Sequence, residues 1–252
     1  MAVDKLVDST QLDSDITAVA DAIRAKGGTS ASLAFPQGFV DAVDAIQTGG
    51  GGSDTTIDGI LDGTVTEITT TATKIAPQAL RARNNLTKFT GNNITEVGTY
   101  GFYGCTVLAE FNAKNVNTIG DNAFEKCIFP AVFPSLTNKL SFSLYGWKGT
   151  IADIGGTLSQ ITNSAFNTAT NMNVLVIRKT AGVVSLGNLN VFSNTPFASG
   201  KAGGTLYVPS ALISSYQSET NWSTILSYAN NQILPIEGSI YETQYADGTP
   251  IT

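Results

Sequence analysis

The side chains that could do chemistry in this chain are few, and their types argue against catalysis. The sequence of 252 residues contains no histidine, which removes the commonest general base and the commonest metal ligand of proteins. Its two cysteines, Cys105 and Cys127, do not have the spacing of a zinc site. We therefore expect neither a metal site nor a bound cofactor.

Three carboxylates, Asp121, Glu125 and Asp153, are the candidates for a pair that would cleave a polysaccharide. A glycosidase that retains configuration holds two carboxylates about 5 Å apart, and one that inverts it holds them farther apart. Nothing in the spacing of these residues favours such a pair. We interpret all three as solvated surface charges.

Hydroxyl groups and glycines give no better case for an enzyme. Ser159, Ser164 and the threonine-rich run 64–73 have no histidine or marked lysine partner to activate them. The glycines at 49–52 are not followed by the Gly-Lys-Ser/Thr of a phosphate-binding loop. We predict that the protein is not an enzyme.

Aromatic residues are better candidates for function, through binding. Their rings combine an apolar face with a polar edge, which suits them to serve as platforms for sugars. We predict glycan contact at Tyr100, Tyr103, Tyr145 and Trp147. Core packing, or contact between the subunits of a trimer, is the alternative for the same four residues.

The elements that position these side chains repeat with a period of 22 residues. Three columns of equivalent residues show the period: Ile75, Val97 and Ile119; Leu80, Phe102 and Phe124; Arg83, Cys105 and Cys127. A further copy begins at Ile161. We expect each unit to hold one short strand and one return segment, and the stack of units, about 4.8 Å apart, to share a continuous core.

Two details of the repeat bear on the backbone and the core. Gly98 and Gly120 follow the first apolar residue of their copies, and we interpret them as turn residues with positive φ. Cys105 and Cys127 lie on adjacent coils, where they form either a reduced ladder in the core or a disulfide.

The repeat and its flanks divide the chain into four parts. Residues 1–48 are predicted to form a small helical hairpin, and the glycine-rich residues 49–56 are predicted to form a flexible linker. The solenoid spans residues 57–208, with an irregular coil at 131–150 where a copy is degenerate. Residues 209–252 form a cap for the open end of the array and a tail, which we expect to be extended from residue 235 and free to lie along a neighbouring subunit.

The helical hairpin at residues 1–48 is a candidate for anchoring or oligomerisation. It carries seven Asp against three Lys or Arg, and it is too small to be stable alone. Its apolar faces therefore predict assembly or docking contacts through Ile16, Val19, Ile23, Phe35, Phe39 and Val43.

Composition excludes several classes of protein. The net charge is −6, and the 14 Lys and Arg residues are scattered, so we expect no nucleic-acid partner. No run of 18 apolar residues is present, so we expect no membrane span. The first 15 residues lack the pattern of a secretory signal, which predicts a protein made and kept in the cytoplasm until something releases it.

The repeat pattern Ile-Gly-x-x-Ala-Phe-x-x-Cys-x-x-Leu resembles the BspA-type leucine-rich repeat. The stretch 207–216, with 221–224 and 233–236, is similar to the ends of such proteins in phages and prophages of Gram-positive bacteria. The stretch 22–28, with 35–39, resembles their starts. The fold implied is mainly β with short helices: a leucine-rich-repeat-like solenoid preceded by a small helical hairpin.

The same resemblance implies a function in adhesion. It favours a bacteriophage virion protein of the tail-fibre or host-attachment kind, located in the virion. Its expected partners are other virion proteins and a host or environmental surface glycan or protein, and a homotrimer is expected by analogy with other fibres. The alternatives are a head-decoration fibre, a bacterial surface adhesin and a polysaccharide depolymerase.

Overall fold

A computed structural model of the chain describes residues 16–17, 19–21, 64–137 and 139–251. The chain divides into two compact units, Met1–Asp58 and Gly59–Thr252. Ile16 and Val19 are helical, and Val19 is 52% exposed. The other residues predicted to mediate assembly, Ile23, Phe35, Phe39 and Val43, lie outside the described residues, as does the linker at 49–56.

The second unit is a parallel β-solenoid in which each of the first coils contributes two short strands. These strands are β1 (Glu67–Thr69), β2 (Lys74–Ile75), β3 (Lys88–Thr90), β4 (Glu96–Val97), β5 (Glu110–Asn112) and β6 (Thr118–Ile119). The odd strands form one three-stranded sheet and the even strands another. Our expectation of one strand per unit was therefore wrong. Each coil has two inward apolar positions, such as Phe89 and Val97, and a turn between them creates a second strand.

The strand register confirms the 22-residue period. Phe89 pairs with Phe111 in one sheet, and Val97 pairs with Ile119 in the other. Every inward position therefore stacks on its equivalent in the next coil, and all described coils share one hydrophobic core. The stacked Phe102 and Phe124 rings, with centroids 5.5 Å apart, are among the largest fully buried side chains.

Gly98 and Gly120 differ from their expected role. Neither is among the positive-φ residues of the described part. A Cβ on Gly98 would lie 2.6 Å from the backbone nitrogen of Pro77, and one on Gly120 would lie 2.4 Å from that of Thr99. Glycine is required here because successive coils approach closely, and not because of an unusual turn conformation.

The later coils form two further sheets. Their strands are β7 (Ala131–Phe133), β8 (Lys139–Ser141), β9 (Ile151–Ile154), β10 (Gln160–Thr162), β11 (Val174–Ile177), β12 (Ser185–Leu186), β13 (Thr205–Val208) and β14 (Gln232–Pro235). One sheet has the order β7-β9-β11-β13-β14, and the other has the order β8-β10-β12. The parallel sheet therefore continues beyond residue 208 into the region that we assigned to the cap.

Residues 131–150, where we expected an irregular coil, contain β7, β8 and a turn that is hydrogen-bonded to the equivalent turns of the two neighbouring coils. Lys126 N donates to Gly146 O at 3.1 Å, and Gly146 N donates to Asn167 O at 2.8 Å. The irregularity lies between the sheets, because β5 and β6 end their three-stranded sheets and are not paired with β7 and β8.

Helical segments close the C-terminal end of the core. They are the 3₁₀ helices Leu189–Phe192 and Ser210–Leu212 and the helices α1 (Ile213–Ser218) and α2 (Thr220–Ser227), whereas a further 3₁₀ helix, Ile240–Glu242, lies in the tail. The Glu219 carboxylate caps α2 by accepting hydrogen bonds from Asn221 N and Trp222 N. Tyr216 and Trp222 are fully buried. No helix of the described residues is long and apolar enough to cross a membrane.

The tail after β14 folds back on its own chain, so the expectation of an extended tail was wrong. Tyr241 packs edge-on against Tyr207 of β13, with ring centroids 4.8 Å apart. An antiparallel bridge joins Gln244 to Pro250. The tail covers the outward side of the five-stranded sheet, where Val176 becomes fully buried.

Candidate functional site

The return segments of successive coils form a ridge, here named the turn face, whose outward side chains lie above buried residues such as Phe102 and Phe124. It comprises residues 78–82, 99–104, 121–126, 142–146 and 163–168. Positive φ recurs in two columns of equivalent residues: Gln78, Tyr100, Asn122, Phe142 and Ser164; and Ala82, Gly104, Lys126, Gly146 and Thr168. The last segment has a third such residue, Asn163. Left-handed backbone is unfavourable for residues with a Cβ, so repeated coil-to-coil hydrogen bonds must hold it.

Those hydrogen bonds run between the segments along the solenoid axis. Ala82 N donates to Tyr103 O at 2.6 Å, and Gly104 N donates to Glu125 O at 2.8 Å. Each segment is fixed by the next, so side chains on the turn face occupy positions that are set by the stack. A surface of this kind is rigid, which lowers the entropy cost of binding a partner.

Tyr100 and Tyr103 form the aromatic centre of the turn face. Both are half-buried, and their rings meet edge to face with centroids 5.5 Å apart. The guanidinium carbon of Arg81 lies 5.6 Å from the ring centre of Tyr100 and 5.1 Å from that of Tyr103. Lys126 Nζ lies 5.2 Å from the ring centre of Tyr103 and donates to its hydroxyl at 3.4 Å. The structure thus brings together two of the predicted residues with two cations that we had not singled out.

The other two predicted aromatic residues have different environments. Tyr145 lies on the turn face and is half-buried. Trp147 is fully buried, and its Nε1 donates to Phe129 O at 3.2 Å, so the expectation of an exposed ring there was wrong. Phe142, which is 36% exposed, lies on the same ridge. The equivalence of Phe142 and Tyr100 could not be recognised from the sequence, because the copy of the repeat at residues 131–150 is degenerate.

The three carboxylates are not brought together as an acid pair. Asp121 is exposed, and Glu125 accepts a hydrogen bond from Asn122 Nδ2 at 2.9 Å. Asp153 is fully buried and paired with Arg178, so its interpretation as a solvated charge was wrong. Burial raises the pKa of Asp153, and the Arg178 guanidinium opposes that rise.

The cysteine candidates are buried, whereas the serine candidates are exposed or half-buried. Cys105 and Cys127 are free, buried thiols, which donate to Leu80 O at 3.0 Å and to Phe102 O at 3.2 Å. Burial raises the pKa of the Cys127 thiol well above its ordinary value. Ser159 is exposed and Ser164 is half-buried. Within residues 64–137 and 139–251, no group of three or more His, Cys, Asp or Glu side chains could hold a metal ion.

Comparison with known proteins identifies the repeat. Residues 63–130 and 113–207 match the BspA type leucine rich repeat region, in six copies. The matched residues make up more than half of the chain. Searches of curated proteins and of solved structures gave no significant match.

Proposed function

The chain belongs to the BspA type leucine-rich repeat family, and from this premise we propose that it is an adhesion protein that contacts a surface glycan through its turn face. A leucine-rich-repeat solenoid is typically a binding scaffold and not an enzyme. The observation that most supports the proposal is the cluster of Tyr100 and Tyr103 with Arg81 and Lys126 on rigid backbone. Half-buried rings with adjacent cations offer stacking faces and hydrogen-bond donors together.

A glycan array probed with the full chain tests this proposal. We expect the chain to be retained on one class of glycan. Tyr103→Ala or Tyr100→Ala should weaken that binding about two- to tenfold, since each substitution removes a ring on which a sugar can stack. Ile240→Ala is the matched control, because Ile240 is a 63% exposed apolar residue of the C-terminal tail. Equal binding by both tyrosine variants and the control would remove the turn face from the proposal.

The finer proposal is that the protein is a bacteriophage virion component of the tail-fibre or host-attachment kind. Its support is the resemblance of the N- and C-terminal stretches to phage proteins and the order of the parts: apolar hairpin, glycine linker, adhesive repeats and cap. In this proposal residues 1–48 dock on other virion proteins or form a homotrimer. The surface partner is a host or environmental glycan or protein.

Light scattering on the full chain and on a chain that starts at Gly49 tests the role of residues 1–48. A trimer that becomes a monomer on truncation would identify these residues as the assembly module. If both the full chain and the truncated chain are monomers, the proposed homotrimer is contradicted. Antibody labelling of purified particles would then separate a tail location from the head-decoration alternative.

A depolymerase and a cellular adhesin are the remaining alternatives. Release of reducing sugar from host polysaccharide would favour the depolymerase, whereas binding without release favours the adhesion protein. Detection of the protein on uninfected bacterial cells would favour the surface adhesin.

A further inference from the structure

We propose that a polar cleft beside the C-terminal tail binds a neutral, hydroxyl-rich ligand of about the size of one sugar residue. The cleft has a volume of about 440 Å³ and is lined by Asn92, Asn112, Lys114, Asn115 and Thr249. That volume lies within the range of small-molecule sites.

Two distant parts of the chain build the cleft. Asn112 ends β5, and Asn92, Lys114 and Asn115 lie in the turns that follow β3 and β5. Thr249 comes from the tail, and its hydroxyl contacts Lys114 Nζ. The tail therefore supplies one wall of the site, and the solenoid supplies the rest.

The asparagine amides of the cleft have hydrogen-bonding groups to spare. Asn115 Nδ2 donates to Asn92 O at 2.7 Å, which leaves its Oδ1 as an acceptor. The side chains of Asn92 and Asn112 make no hydrogen bond to other described residues. An amide offers both donors and an acceptor, so this set matches sugar hydroxyls, which also donate and accept.

The charges of the cleft favour a neutral ligand. Lys114 Nζ lies 3.4 Å from Asp247 Oδ2 and 4.4 Å from the ring centre of Tyr245. Its charge is therefore already balanced by the tail. A carboxylate or phosphate would compete with Asp247 for this ammonium, whereas a hydroxyl can bind beside it.

This inference goes beyond the proposed function and does not depend on it. The solenoid residues of the cleft precede the second strand of their coils, β4 or β6, and the turn face follows that strand. Variants in one leave the residues of the other unchanged, so either site can fail while the other binds.

The test is the side-chain amide NMR signals of the full chain, titrated with methyl glucoside, methyl galactoside and methyl N-acetylglucosaminide, and with glucuronate as the acidic counterpart. We expect at least one neutral glycoside to shift the amides of Asn92, Asn112 and Asn115. Asn112→Ala or Asn92→Ala should weaken that binding about two- to tenfold, as expected for the loss of a neutral hydrogen bond.

A control variant outside the cleft and a variant of its tail residue keep the result interpretable. Asn173→Ala replaces an exposed asparagine outside the cleft, and it should bind as the unmodified chain does. Thr249→Val keeps the shape of the tail residue while removing its hydroxyl, and its melting temperature reports whether the tail stays folded. The proposal is overturned if only glucuronate shifts these amides, if no glycoside does, or if the cleft variants match Asn173→Ala.

Discussion

The guanidinium of Arg178 donates to both carboxylate oxygens of Asp153, from Nε at 2.6 Å and from Nη2 at 2.7 Å. Asp153 lies in β9, and Arg178 directly follows the neighbouring strand β11. The same guanidinium donates to Tyr241 O at 2.7 Å and to Gln244 O at 2.9 Å, and Ala246 N donates to Asp153 Oδ2 at 2.9 Å. One buried ion pair thus fixes the tail on the sheet.

Replacing the cation of this pair should release the tail. We expect Arg178→Met to lower the free energy of unfolding by about 3–5 kcal/mol, because a tail that covers Asp153 would then bury a carboxylate with no cation beside it. Urea unfolding measures the loss, and limited proteolysis reports cleavage after residue 236.

The neighbouring substitution Lys179→Met serves as the control, because Lys179 makes no ion pair with another described residue. Asp153→Leu combined with Arg178→Met should recover part of the lost stability, since it leaves no unpaired buried charge. If the single Arg178 variant unfolds like the control, the ion pair does not anchor the tail.

The phenylalanine stack should dominate the stability of the first coils. Phe102 is fully buried between Phe89 and Phe124, whereas Phe142 is 36% exposed on the turn face. We expect Phe102→Ala to cost about 3–5 kcal/mol through the cavity that it leaves. Phe142→Ala should cost less than about 1 kcal/mol. Similar midpoints in urea for the two variants would be inconsistent with the stacked core.

The buried Tyr216 should make the protein sensitive to alkali. Burial raises the pKa of Tyr216 from 10.0 to about 12, so the folded state keeps a proton that the unfolded state loses. Stability from this group is intact below pH 10 and is lost as the pH rises from 10 towards 12, by up to about 1.4 kcal/mol per pH unit.

The comparison of the unmodified chain with Tyr216→Phe isolates that contribution. The variant leaves Val184 N without its acceptor, the Tyr216 hydroxyl at 3.1 Å, and should lose about 1–3 kcal/mol at neutral pH. Its stability should then fall less steeply between pH 10 and 12. If the stability of both proteins falls equally steeply between pH 10 and 12, Tyr216 ionises in the folded protein as freely as in the unfolded chain.

The two thiols should be inert in the folded protein. Cys105 and Cys127 are both 0% exposed, and the raised pKa of Cys127 keeps that thiol protonated. We expect a thiol reagent such as Ellman's reagent to label neither residue under native conditions and both in urea. Rapid native labelling, or no labelling in urea without a reductant, would contradict a reduced, packed ladder.

The period of the solenoid could be predicted from sequence because its signal is redundant. Each inward position recurs at a fixed offset, and Phe89 pairs with Phe111 as the repeat requires. A second strand in each coil was not expected, because strands of two or three residues, such as β2 and β3, give no alternating pattern of their own.

Long-range contacts account for the other errors. Nothing near Asp153 in sequence shows that Arg178 and the tail will bury it. Trp147 looked like an exposed ring because its coil was read as degenerate. The cleft could not be foreseen, since Lys114 and Thr249 are 135 residues apart. By contrast, Tyr100 and Tyr103 could be placed on the outside, because the repeat assigns the inward position between them to Phe102.

Hydroxyl-radical footprinting tests the central claim, that the turn face is the binding surface. The full chain is labelled with and without a polysaccharide that it retains on the array, and oxidation of each tyrosine is measured by mass spectrometry. We predict reduced oxidation of Tyr100, Tyr103 and Tyr145 in the complex, with Tyr228 as the half-buried reference outside the turn face. Unchanged oxidation of the three turn-face tyrosines in a saturated complex would contradict the account.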